Sequence, residues 1–308
     1  MPPSVEVLIS TYNGQKYLVE QLDSILAQTQ RDIMITIRDD GSVDNTADIL
    51  TSYARRDKRI KLIFAENLGV VGSFLSLLKN AESGCRFTAF ADQDDVWLPN
   101  KIERALSVLS AYDDSVPLLY CSRMEYVSED LRHLGFSKQV RKPTGFANAL
   151  VQNIATGCTI VLNRAARKVL LLHEWPRQVL MHDWWMYLVV SAFGSVVHDD
   201  FSSIKYRQHA GNQVGGTSSL LSDCNKRIRN FISRERKGLF GCYSQAYGFW
   251  VTYQKELKGE NRDVISRFIR SKQSAVHRIR YLACNTRVYR QTPFDDIILR
   301  LLILINKY

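Results

Sequence analysis

The sequence predicts an α/β protein: a mostly parallel sheet flanked by helices and continued by a basic helical region at the C-terminal end. Two observations carry this. From Val5 to about Leu109, short apolar runs alternate four times with segments of helical periodicity, the pattern of βα units on a parallel sheet. Beyond about Gly216 the pattern changes to long, basic, helical segments. The division is set near Ser219, giving a sheet-bearing domain over residues 1–218 and a helical region over 219–308.

Taken in order, Val5–Ser10 reads as a buried strand, and Leu18, Leu22, Ile25 and Leu26 recur at helical spacing. Ile33–Ile37 is a β-branched strand ending at Arg38-Asp39-Asp40-Gly41-Ser42, with Ser42 or Asn45 suited to cap a helix reaching about Ala54. Ile60–Phe64 is a third strand and Val71–Ala81 a third helix. Phe87–Ala91 is a fourth strand that stops at Asp92-Gln93-Asp94-Asp95, after which Pro99 suits the first turn of a helix. Further on come an apolar stretch at Leu118–Tyr126, the segment Asn153–Leu162, a helix from His182 to Phe193 and a strand at Ser203–Arg207.

Composition narrows the class. The 308 residues, 45% apolar and 23% charged, describe an ordinary globular chain. Six scattered cysteines without a CxxC pair argue against a zinc site or disulfide framework and fit a reducing cytosol. No basic leader with an apolar stretch opens the chain, and no apolar run approaches the roughly 20 residues of a membrane span. The expected location is therefore cytoplasmic. Between Asn225 and Arg290 there are 16 Lys or Arg against four acids, an excess of 12, while the whole chain is only +10. That tail has no stacking motif or zinc ligands, so it does not read as a nucleic-acid binder. Its aromatics, interleaved with cations, fit the anionic face of a membrane, as does a solvated basic face on packing helices. Ile297–Ile305 is too short to span and either lies in the interface or packs on the domain.

The polar clusters fall at strand ends, where parallel sheets bind ligands. Asp92, Asp94 and Asp95 repel one another unless a cation or strong donors sit among them, and Mg²⁺ or Mn²⁺ is shared between carboxylates and phosphates in this manner. A solvated acidic turn is the plainer reading. Asp39 and Asp40 suit a base ring or ribose, or an ordinary turn; the segment with Thr11, Tyr12 and Asn13 offers hydroxyls and an aromatic face, though read alone it is a strand-to-helix turn. Asn67 offers an amide to a nucleotide, or forms a plain turn before the third helix. Asp183, beside Trp184 and Trp185, suits either a helix start or the removal of a proton from a sugar hydroxyl. His209 reads as a metal or phosphate ligand, or as a structural histidine.

Together, Val7–Asn13 (VLISTYN), Arg38–Ser42 (RDDGS), Phe90–Trp97 (FADQDDVW), Asn153–Thr159 (NIATGCT), His182–Trp185 (HDWW) and Tyr206–His209 (YRQH) resemble the inverting glycosyltransferases of family 2. Over roughly Val5 to Gly216 the set looks most like bacterial rhamnosyltransferases that build surface polysaccharides. The resemblance implies a GT-A fold, a nucleotide-sugar donor such as dTDP-rhamnose, and a glycan or lipid-linked glycan acceptor. It implies that Thr11, Tyr12 and Asp40 hold base and ribose with Asp39 beside them. Asp92 and Asp94 become a metal-binding DxD for Mg²⁺ or Mn²⁺, Asp95 lies near the donor sugar, Asp183 is the base, and His209 is a metal or phosphate ligand. Many relatives carry Glu-Asp where this chain has His182-Asp183, so the base position is kept and its neighbour is changed. Two other classes stand beside this expectation. One is an inactive basic anchoring or binding protein. The other is a nucleotidyltransferase, disfavoured because the first strand lacks a glycine-rich basic loop.

Overall fold

The apolar runs that precede the polar clusters form strands in the computed structural model, which describes residues 4–177, 179–209, 241–284 and 288–308. β1 (Val5–Thr11), β2 (Ile33–Asp39), β3 (Ile60–Phe64) and β4 (Phe87–Ala91) pair in parallel in the spatial order β3-β2-β1-β4. Their crossovers are α1 (Leu18–Leu26), α2 (Thr46–Arg56) and α3 (Gly69–Asn80). β1 is the central strand, and Val5, Val7, Leu8 and Ile9 are fully buried because helices cover both faces.

Past β4 the sheet becomes mixed. It continues through β8 (Val161–Asn163), antiparallel to β4, then β6 (Leu118–Val127), β9 (Ser195–Arg207) and the two-residue β5 (Val96–Trp97). β7 (His133–Phe136) hangs on β6. The strand expected at Ser203–Arg207 begins at Ser195, because β9 runs alongside β6 from Leu118 onward. α4 (Lys101–Leu109) starts two residues after Pro99, with Pro99 and Asn100 spent on the turn. α5 (Phe146–Ala149), a 3₁₀ turn at Gly157–Thr159, α6 (Arg164–Leu170) and α7 (His182–Phe193) complete this part.

Alternation along β1 divides the core. Val7 and Ile9 join Leu22, Ile25 and Ile102 on one face, whereas Leu8 joins Phe74, Leu77, Trp185 and Leu188 on the other. The second cluster also takes in the C-terminal helices α8 (Cys242–Tyr253), α9 (Gly259–Ser271), α10 (Ala275–Ala283) and α11 (Pro293–Leu304), through Phe249, Tyr253, Phe268 and Leu299. The basic tail therefore buries its apolar residues against the sheet's helical layer. The division expected near Ser219 lies outside the described residues. Among the described residues no helix is long and apolar enough to cross a membrane.

Candidate active site

Strand register brings the polar clusters to one rim. Thr11 pairs with Asp39 across β1 and β2, and Ile9 with Ala91 across β1 and β4, so residues 11–13, 39–42 and 92–95 leave the sheet at the same end. β8 runs antiparallel to β4, which returns the Gly157–Thr159 turn to that end; the Phe90 N–H donates to the Ile160 carbonyl at 3.2 Å. The N-terminus of α7 meets the turn, where the Gly157 N–H donates to Asp183 Oδ2 at 3.1 Å.

The side formed by β1 and β2 is tied into a single loop system. Asp39 accepts from Thr11 Oγ1 at 2.9 Å and from the Ser42 N–H and hydroxyl at 2.9 and 2.6 Å. Gly41 turns the chain at φ 81°, a region open to glycine. The Asn13 N–H donates to Ser42 Oγ at 2.8 Å, and its side-chain oxygen accepts from the Val43 N–H at 2.9 Å. Asp40 is 2% exposed, pairs with Arg38, and accepts from the Leu68 and Gly69 N–H groups at 3.0 and 2.9 Å. Asn67 accepts from the same Gly69 N–H at 2.9 Å. Tyr12 leaves its ring 49% exposed while Gln93 grips its backbone from both sides: Gln93 Oε1 accepts from the Tyr12 N–H at 2.8 Å and Gln93 Nε2 donates to its carbonyl at 3.1 Å.

The acidic turn after β4 is held from outside. Gln21 of α1 donates to the Asp92 carbonyl at 2.9 Å. Arg207, at the end of β9, donates through its N–H to Asp95 Oδ1 at 3.1 Å and through Nε to the Asp94 carbonyl at 2.9 Å. Its guanidinium also reaches the Glu129 carbonyl and the Glu20 carboxylate. His209 Nε2 lies 2.8 Å from Asp94 Oδ2. Donor atoms of Asp92, Asp95 and Cys158 lie within 4.8 Å of one another. Burial, then repulsion from Asp94 and Asp183, pushes Asp92 up to about 7, while burial and repulsion from Asp94 and Asp92 push Asp95 up. Asp95 is fully buried, and its Oδ2 has no hydrogen-bond partner. Beneath it the Lys101 amine, also buried and without a hydrogen bond, sits 4.4 Å above the Trp97 ring, and burial lowers it to about 8.

Asp183 opens α7 with Oδ1 accepting from the Trp184 N–H at 2.6 Å. Burial raises it to about 6 against the pull of its N–H donors. His182 stacks on Phe74 at 4.1 Å; burial lowers it to about 3, so the ring is neutral, and neither nitrogen has a hydrogen-bond partner. A side chain at residue 157 would begin 2.7 Å from His182 Nε2, so only glycine fits.

All the sequence-derived residues thus lie on this rim, in two groups: Thr11, Tyr12, Asn13, Asp39, Asp40 and Asn67 on one side, and Asp92, Asp94, Asp95, Asp183 and His209 on the other. Sequence reasoning did not single out Gln93, Gln21, Lys101 or the strapping role of Arg207, and it met Cys158 only inside a motif. Polar residues at 21 and 101 on faces otherwise apolar were the available signal.

A sheet of this order with acidic turns at its carboxyl rim places a ligand cleft where open α/β sheets bind their ligands, and comparison with known proteins gives the class. The model of glycosyl transferase family 2 matches residues 6–171, and the chain belongs to that family. An uncharacterized glycosyltransferase of Rickettsia typhi is 32% identical over 247 residues, 76% of this chain and 73% of that protein. The dTDP-rhamnosyl transferase RfbG of Shigella flexneri is 29% identical, covering 69% of this chain and 75% of its own. Among solved structures, S. aureus TarS 1–349 in complex with UDP matches with a TM-score of 0.58 at 16% identity, over 92% of this chain and 75% of that one. The mannosyltransferase PcManGT of Pyrobaculum calidifontis, in complex with GDP-Man and Mn²⁺, matches with a TM-score of 0.51 at 13% identity, over 98% and 88%. These likenesses establish the GT-A fold.

Proposed function

We propose that the chain is an inverting, metal-dependent transferase that moves a sugar from a nucleoside diphosphate to a hydroxyl of a glycan acceptor. The carrying observation is that the Gly157–Thr159 turn joins Asp183 to the acidic turn: the Gly157 N–H donates to Asp183 Oδ2, and donor atoms of the next residue, Cys158, and of Asp92 and Asp95 lie within 4.8 Å of one another. Asp183, raised to about 6, is ionised at neutral pH yet basic enough to take the acceptor's proton as its oxygen attacks the anomeric carbon. Thr11, Tyr12, Asn13, Asp39, Asp40 and Asn67 hold the base and ribose, with the exposed Tyr12 ring offering a stacking face.

Asp92 and Asp94, with His209 and the adjacent Asp95, are the residues to hold Mg²⁺ or Mn²⁺. The donor set fits: a buried carboxylate oxygen of Asp95 has no hydrogen-bond partner, three carboxylates crowd one turn, and burial keeps the Cys158 thiol protonated, so oxygens dominate. A bound divalent ion supplies neutralisation of the charge that builds on the departing diphosphate. Similarity to the Shigella dTDP-rhamnosyl transferase supports dTDP-rhamnose as donor. The acceptor is then a glycan or lipid-linked glycan of a bacterial surface polysaccharide such as O-antigen or capsule, met at the cytoplasmic face of the membrane.

A thermal-shift screen of nucleotide sugars with and without Mn²⁺ tests the donor side. A bound donor raises the melting temperature by mass action, by about 2.7 kcal/mol of stability at a hundredfold excess over Kd. The expected result is a dTDP-sugar shift that grows with Mn²⁺. No shift with any nucleotide sugar in the presence of Mn²⁺ would remove the donor reading.

A further inference from the structure

The last helix turns an apolar face to solvent. On α11, Phe294, Ile297, Leu301 and Leu304, followed by Ile305, are each 47–59% exposed, while Leu299 and Ile303 on the opposite side are buried in the core. Successive exposed positions are three or four residues apart, so they form one stripe along the helix. Of the helix's three charges, Asp295 is buried and Asp296 half-buried, while Arg300, three residues after Ile297 and four before Leu304, borders the stripe with its side chain 42% exposed. A soluble surface helix normally reverses this arrangement, and a contiguous exposed apolar patch marks an interaction site.

The surroundings select the partner. Between Val264 and Phe294 the chain contains no Asp or Glu. Within that stretch Arg267, Arg270 and Arg280 are exposed, and so are Val276 and Ile279 of α10. α10 packs on α11, and Arg278 Nε donates to the Leu304 carbonyl at the helix end, 3.2 Å away. A second copy docking face to face would bring like charges together, which disfavours a symmetric dimer here. An apolar stripe beside α10, which carries Arg278 and Arg280 and no acid, suits an anionic bilayer surface, where side chains enter the acyl boundary and arginines stay among headgroups.

We infer that α11 is an in-plane membrane-docking helix, inserting Phe294, Ile297, Leu301 and Leu304 between anionic lipids, with the arginines of α9 and α10 as its electrostatic flank. The inference rests on the cytoplasmic-face placement in the proposed function and on none of its chemistry, so binding is measured without donor or acceptor. The full chain is sedimented with phosphatidylcholine vesicles containing or lacking phosphatidylglycerol. Binding is expected only to the anionic vesicles. Leu301→Glu with Ile297→Glu should lower the bound fraction at least about tenfold, as removal of two buried apolar anchors requires. Arg270→Glu with Arg280→Glu should lower it and flatten its salt dependence. These positions are exposed, so melting temperatures should hold; Leu301→Gln serves if the acidic pair perturbs folding. Absence of binding, or binding that the α11 variants leave intact, overturns the inference. So does a dimer in light scattering that Leu301→Glu converts to monomer, because a second copy then covers the stripe. Vesicle binding without any sugar transfer would instead count against the transferase reading alone.

Discussion

Asp39 and Asp40 leave β2 bound on all sides by their own loop, whereas Asp92 and Asp95 leave β4 crowded by like charge, with one buried oxygen of Asp95 lacking a hydrogen-bond partner. Both pairs follow a buried parallel strand at the same rim, so the sheet does not explain the difference. The partners do. Arg38, Ser42, Leu68 and Gly69 neutralise and saturate the first pair; the second receives one N–H from Arg207, and the amine of Lys101 beneath it forms no hydrogen bond. A carboxylate satisfied by protein groups strengthens the fold. One that is buried beside others of its kind weakens the fold and gains from a cation. The rim therefore combines a pre-formed loop system after β1 and β2 with an electrostatically strained acidic turn after β4.

The largest expected effect falls on the strained side. Asp183→Asn keeps an acceptor for the Gly157 N–H but cannot take a proton, so transfer should drop by about 10²–10⁴-fold. Donor affinity, followed by calorimetry, should stay within a few-fold. Near-normal turnover would return Asp183 to a purely structural role at the start of α7.

Next in size is the saturated side. Asp40→Ala leaves the Arg38 guanidinium buried without its counter-charge and frees the Leu68 and Gly69 N–H groups. A loss of about 3–5 kcal/mol is expected in urea unfolding. A loss near zero would erase the contrast between the two pairs.

Asp92→Asn sharpens the contrast with the opposite sign. Burial and like charge raise Asp92 to about 7, so the folded state favours its protonated form. The stability this confers is fully present below the ordinary carboxyl range and is lost as pH rises through about 7. The Asn variant escapes that loss. The two proteins should therefore be similarly stable near pH 4 and diverge upward, with the variant ahead by about 1–3 kcal/mol at pH 8. It should also lose its stabilisation by Mn²⁺. Equal stability of the two across the whole range would show that Asp92 bears no strain.

Much of this rim was legible in the sequence because its logic is local. An apolar strand followed by DDGS or DQDD marks a strand end, and four such units imply that the ends align. What was not legible depends on long-range pairing. β5 has two residues, too short for any periodicity, and exists only because β9 runs beside it. Arg207 looked like one more cation near His209 until β9 carried it to the acidic turn, 112 residues away from Asp95 in sequence. Ile297–Ile305 read equally well as packing or as interfacial, and the structure gives the segment two faces: Leu299 and Ile303 are buried, Ile297 and Leu301 exposed. Periodicity shows that a helix has two faces, but the neighbours decide whether both are covered.

The smallest effect tests whether the two sides communicate. Gln93 lies in the acidic turn, yet its amide holds the backbone of Tyr12, in the loop after β1, by two hydrogen bonds. Exposed hydrogen bonds of this kind contribute about 0.5–1.5 kcal/mol each, so Gln93→Ala should weaken donor binding about three- to tenfold and leave kcat nearly unchanged. Gly14→Ala offers an independent route to the same disturbance, because an added Cβ would sit 2.3 Å from Gln93 Oε1 and displace the amide. If the amide is the link, Gly14→Ala should reproduce the KM effect, and the double variant should be no worse than either single one. Additive losses would mean that the two substitutions act separately, and that the loops on either side of β1 bind the donor without the bridge from Gln93 to Tyr12.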